Sequence, residues 1–242
     1  MNRDNFLIPA IVIAVTLIIC TIIVTSTWKS NYASNQTINV TGSAKKEITS
    51  DLGVLRVTIS VQHPTAEGAY RELLSQKPAL ISYLKSKGFT EDKIEFFTIN
   101  SYPVYEIGPH GYQTGRIQAY NYSQRMEIQS TDVNKIKEIS LDISSLIEKG
   151  VNFNVEMPEY HYTKLAELKI EIQADASKDA MLRAQKIAEA TGRELGPMRS
   201  ARMGVLQITP KLSNMISDYG INDLSSIEKE ITAVVSASFE IE

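Results

Sequence analysis

The chain has 242 residues, 43% hydrophobic and 22% charged, a balance that supplies a sizeable core and excludes disorder over most of its length. Its formal net charge is −3, and because Arg3 and Asp4 cancel, the portion after Trp28 carries the same −3, which is not the basic footprint of a nucleic-acid binder. The only cysteine, Cys20, lies in an apolar segment, which excludes an internal disulfide and any thiol nucleophile in the remainder.

Residues 6–24, from Phe6 to Val24, carry no charge. As a helix at ~1.5 Å per residue the run spans roughly 28 Å, close to the hydrocarbon thickness of a bilayer. Pro9 falls in the first turn, where a missing N–H does little harm, and Trp28 with Lys29 supplies an interfacial anchor at the far end. The reading is a membrane anchor over 1–28, bounded by Phe6, Val24 and Trp28. The alternative is a cleaved leader, with Val24 and Ser26 as the small residues before the cut, but the apolar run exceeds the ~7 to 15 residues usual for such a core. Bulky Ile19 ahead of Cys20 argues against a lipoprotein. Arg3 marks the short tail as the inner side, so residues 29–242 are expected on the exported side, periplasmic or extracellular.

Residues 29–37 are small and polar and read as a tether ahead of one domain, 38–242. From Ile38 to Ile48 apolar or small residues occupy most even positions, and from Leu55 to Val61 the odd ones; with a polar break between them, the pair predicts a β-hairpin with one buried face. Pro64-Thr65 opens a helix ending near Gly88, with Pro78 expected to kink it. Lys93–Glu106 and Arg116–Ser130 are strand-like runs around a tip rich in glycine, a long hairpin. Thr131-Asp132 caps a second helix that Gly150 stops.

A strand follows from Val151 toward His161, then the longest helical pattern, Thr163–Thr191, whose second half is alanine-rich on its apolar stripe. Small residues there let a helix lie close against a sheet or another helix. Met198–Thr209 reads as a strand, 210–226 as a polar excursion, and Ile231–Ile241 as the clearest alternation in the chain. The order ββ-α-ββ-α-β-α-β-β predicts an α+β fold, an antiparallel sheet built from hairpins with helices packed on it.

These elements, with the residues that mark them, resemble the SIMPL-domain family of bacterial envelope proteins. The opening pattern is Val40-Thr41-Gly42, then Ser50-Asp51, then Val57-Thr58-Ile59-Ser60-Val61. Ala119-Tyr120-Asn121-Tyr122-Ser123 matches the middle hairpin, and Ala174-Asp175-Ala176 through Gly192-Arg193-Glu194-Leu195-Gly196 matches the long helix and its exit. The likeness covers residues 38–241. Ser50 stands in place of the family's usual proline, and Ala119 in place of a glycine. The resemblance implies an exported or membrane-associated protein that forms homo-oligomers, ring- or channel-like in the periplasmic immunogenic members, with an association to envelope or oxidative stress. It carries over no catalytic residue and no cofactor.

Nucleotide, zinc-protease and hydrolase motifs are missing from the sequence. Glu159 and His161 share a strand face and offer two metal ligands, too few to define a site beside the simpler reading of a solvated strand end. His110 in the hairpin tip and His63 beside Pro64 read as exposed loop and turn residues. Tyrosines crowd the middle hairpin and the strand after the second helix; Tyr105, Tyr112, Tyr120, Tyr122 and Tyr160 form a candidate contact surface, for a small molecule, a peptide or another copy, weighed against cross-strand packing. The functional expectation is a non-enzymatic, membrane-anchored envelope protein that assembles with its own copies; a binding module on the tyrosine hairpin is the alternative.

Overall fold

Period-2 alternation says which side chains share a face, but not which strands are neighbours, and the tertiary structure decides the second question. The computed structural model describes residues 7–33 and 36–241. Helix α1, Leu7–Ala33, contains the uncharged, membrane-length stretch Ile11–Trp28, none of which is buried. Val24 and Trp28 are exposed on it, and Phe6 lies outside the described residues. The hydroxyls of Thr16, Thr21 and Thr25 donate to carbonyls one turn back at 2.7–2.8 Å, so the polar groups of the stretch are satisfied within the helix, as hydrocarbon demands. The helix continues through the first part of the expected tether, and only residues 34–36 separate it from strand β1.

Two antiparallel-based sheets follow. β1 (Thr37–Thr49) does not pair with β2 (Leu52–His63); it runs antiparallel to β10 (Glu228–Ile241), Thr37 opposite Glu240 and Thr49 opposite Glu228. The expected β1–β2 hairpin is therefore corrected to a crossover between sheets. The reason lies in the two linking residues. Ser50 donates its N–H to Ile227 O at 2.9 Å, and the Asp51 carboxylate accepts from the N–H and hydroxyl of Thr163 at 2.8 and 2.7 Å, contacts that pin the link to distant segments.

Sheet A has the order β1-β10-β8-β9, with β7 (Leu195–Met203) beside the second half of β10 and β8 (Gln207–Pro210) beside its first half. Strand β9 (Ile221–Asn222) joins β8 in parallel. The strand expected over Met198–Thr209 is thus two, both against β10. Helix α4 (Leu165–Ala190) lies across β1 and β10. Its Ala176, Ala180 and Ala184 are fully buried, and a Cβ on Gly42 would come within 2.3 Å of Ala176 O and Ala180 N. The alanine stripe and Gly42 are two halves of one close helix-on-strand contact, which only glycine permits on the strand side.

Sheet B has the order β3-β4-β2-β5, with β6 on the same side of β2 as β5. β3 (Ile94–Ile107) and β4 (Gln113–Ser130) form the long hairpin; β5 (Phe153–Val155) and β6 (Glu159–His161) split the run expected as one strand. Helix α2 (Ala66–Ser86), N-capped by the Thr65 hydroxyl and continuous past Pro78, packs with α3 (Val133–Asp142) on this sheet. Leu55, Leu73, Leu80, Leu84, Ile136 and Ile139 are among the aliphatic side chains that fill the space between them. The α+β architecture with antiparallel sheets stands; what changes is the number of sheets and the partners of β1.

Candidate functional site

On the face of sheet B away from α2 and α3, charged and polar side chains are joined into a network centred on Arg56. Arg56 Nε lies 2.7 Å from Glu127 Oε2, and its Nη1 lies 2.6 Å from Glu159 Oε1. His161 Nε2 is 3.2 Å from the other oxygen of Glu159, and Arg125 pairs with Glu156 at 2.6 Å. The hydrogen bond from Arg56 holds Glu159 below the ordinary carboxylate range. Burial pushes Glu127 upward, but hydrogen bonds from Gln129 and Arg56 outweigh it, so Glu127 also sits low. The same two carboxylates raise the Arg56 guanidinium. Glu159 and His161 do share a face, as the alternation implies, and Arg56 engages the Glu159 carboxylate. Among the described residues no group of three or more His, Cys, Asp or Glu is placed to hold a metal ion.

The tyrosines divide. Beyond the point where His63 pairs with Tyr120, β3 and β4 pair only with each other among the described residues, and the hairpin continues as a two-stranded arm. Tyr105 and Tyr112 lie on this arm, 36% and 80% exposed, with Ile107 and Ile117 also open to solvent. Tyr120 and Tyr122 instead pack half-buried against the core of sheet B, where Tyr122 meets Tyr70 edge-to-face at 6.3 Å. Tyr160 is only 4% exposed and belongs to that core, so it is removed from the contact surface. The cause is strand parity: its neighbours Glu159 and His161 face the polar side, which turns Tyr160 inward.

A feature the sequence reading missed lies at the seam between the sheets. Lys229 is 2% exposed, and its ammonium donates to Tyr160 O and Asp223 O, both at 2.5 Å. Burial pushes its pKa down, with Asp223 pulling the other way. The signal was available, because Lys229 has the same parity as the inward residues Ile231, Ala233 and Val235.

The remaining functional geometry is at the strand edges. Sheet B protects its edges: β3 carries Pro103 and three register irregularities, and β5 and β6 are three residues each. In sheet A, β1 pairs with β10 over its full length without a bulge, and its other edge has no strand among the described residues; β7, which carries Pro197 and two register shifts, pairs with β10 alone among them.

The family model for SIMPL, described as a protein of unknown function (DUF541), matches residues 38–239. The chain belongs to the SIMPL family. Within this SIMPL domain, the motif residues acquire structural reasons: Gly42 of Val40-Thr41-Gly42 is the contact with α4, Ser50-Asp51 is the crossover, and Ala176, Ala180 and Ala184 are the surface that meets Gly42. No match was found among curated proteins.

Proposed function

We propose that this SIMPL protein is a non-catalytic envelope scaffold, held in the membrane by α1, whose exported domain associates with its own copies into a closed homo-oligomer. The observation that carries this reading is the pair of unpaired edges on sheet A. A regular edge with free backbone groups, as β1 has over Thr37–Thr41, is a template for another strand, and natural monomers blunt such edges as sheet B does here. Closed symmetric assembly removes them. The charge-free Ile11–Trp28 stretch, long enough to cross a bilayer and with none of it buried, supports anchorage. Light scattering on the full-length protein in detergent tests the proposal: a mass that is a fixed multiple of the 27.0 kDa chain over a wide concentration range is expected, and single copies throughout overturn it. Protease added to the outside of intact cells or spheroplasts tests the orientation, with residues 29–242 expected to be cleaved.

A second reading, capture of a peptide or small molecule on the arm, is favoured by the exposure of Tyr105, Tyr112, Ile107 and Ile117 together. Its test is the double variant Tyr105→Ala with Tyr112→Ala, expected to lose the bound partner while keeping the mass of the assembly.

A further inference from the structure

The edge of β1 is not uniform along its length. Ser43 N–H points away from β10 and donates to Asp179 Oδ2 at 2.8 Å. In an antiparallel ladder the backbone groups alternate in direction, so Thr37, Asn39 and Thr41 also present N–H and C=O to the free side. Asp179, itself held by Arg183 at 2.8 Å, closes the edge at Ser43, and the charged side chains of Lys45, Lys46 and Glu47 follow. What stays open is Thr37–Thr41. Alongside it runs a groove of about 570 Å³ between the strand and α4, lined by Asn39, Thr41, Leu182, Arg183, Lys186 and Ile187. Leu182 and Ile187 are 52% and 45% exposed. An extended segment laid there would gain main-chain hydrogen bonds from the edge and apolar cover from the helix.

We propose that β7 of a neighbouring copy fills this groove as a parallel strand, extending sheet A from one copy to the next. The inference rests on the self-association proposed above and names its surfaces. Three observations select β7. First, the ladder on β10 sets β1 and β7 level: Ala237 stands opposite both Val40 and Ala201, and Ser236 opposite both Thr41 and Arg202. The two edges therefore match in direction and in face where Asn39–Thr41 stand level with Ser200–Arg202, clear of the register shifts of β7. Second, Met198, Ala201 and Met203 sit on the α4 side of the sheet, opposite the buried Phe239, Ala237 and Val235, yet they are exposed in the single chain. A neighbour's Leu182 and Ile187 would cover them, while Ser200 and Arg202 would meet the polar face of Asn39 and Thr41. Third, only residues 34–36 join α1 to β1, so each anchor enters at the start of its β1. Pairing β1 with another β1 in antiparallel fashion over the open Thr37–Thr41 would lead the two anchors away in opposite directions, whereas parallel β1–β7 pairing keeps all anchors at one end. The contact joins different surfaces on the two copies, so it closes only as a ring.

Cysteine cross-linking of the full chain in detergent tests this, in a Cys20→Ser background. Thr41→Cys is combined with Arg202→Cys, or with Ser200→Cys to allow for a register step. Within one copy β10 separates these positions by two strand spacings, ~9.6 Å, beyond disulfide reach, so any bridge joins two copies. Mild oxidation is expected to give a ladder of covalent multimers from at least one double variant and none from the single variants. Dimers from Thr41→Cys alone would mean β1–β1 pairing and overturn the proposal. So would multimers by light scattering with no ladder from either double variant, a result that leaves self-association standing. Single copies throughout would overturn both.

Discussion

Sheets A and B solve the same problem, covering one face of an antiparallel sheet with helix, by opposite means. Sheet B uses bulk: leucines and isoleucines from α2 and α3 interlock with β2 and β4. Sheet A uses proximity: the alanine stripe of α4 touches β1 backbone to backbone through Gly42. Bulky packing tolerates rearrangement of side chains, whereas backbone contact has no slack. The difference extends to β1, which keeps unbroken register with β10 over 13 residues, whereas B blunts its edges with proline, bulges and short strands.

The sharpest way to break the contrast is Gly42→Val. Its side chain would meet helix backbone that cannot yield, and a loss of about 3 kcal/mol of stability is expected by chemical denaturation. Gly53→Ala, the counterpart in sheet B, meets the Ile136 side chain at 2.9 Å and is expected to lose less, because a side chain shifts more easily than a helix. Next comes the seam. Lys229→Met orphans two buried carbonyls, one from each side, and an equilibrium melt should show a loss of about 2 kcal/mol.

Arg56→Gln, on the polar face of sheet B, should lose about 1 kcal/mol at neutral pH through two partly exposed carboxylates left without their cation. Its pH dependence is more telling. Glu127 and Glu159 lie below their unfolded values in the native protein, so their contribution is fully present above the unfolded carboxylate pKa and disappears as pH falls through the lowered native values. The parent protein should therefore lose stability on acidification from about pH 5 downward, and Arg56→Gln should flatten that slope. The smallest effect is expected for Tyr112→Ala at the arm tip, within about 0.5 kcal/mol, since nothing in the single chain packs on it.

The helices and most strands were legible because each buries one face, and burial writes a period into the sequence. Thr65 and Asp132 as caps, Gly150 and Gly192 as stops, and the alternation of β10 all took their places. Strand partnership was not legible. Ile38–Ile48 and Leu55–Val61 alternate in the same way whether they face each other or lie in separate sheets, and the crossover is fixed by Asp51 reaching Thr163, a contact 112 residues away in sequence. The Glu159–His161 pair was readable as a shared face, but its partner Arg56 comes from another strand and left no local trace. Tyr160 and Lys229 could have been placed by parity alone, had polar and aromatic residues been counted with the alternation of their neighbours.

The position of β10 in the chain has a consequence for biogenesis. Sheet B draws every strand from residues 52–161, whereas β1, the first strand to emerge, waits for a partner that comes after every other strand. A nascent chain can complete the leucine-rich half early, but its membrane-proximal strand stays single until the final segment arrives. Premature termination before Glu228 would thus release a molecule with one finished lobe and a bare ribbon tied to its anchor, a natural substrate for quality-control proteases.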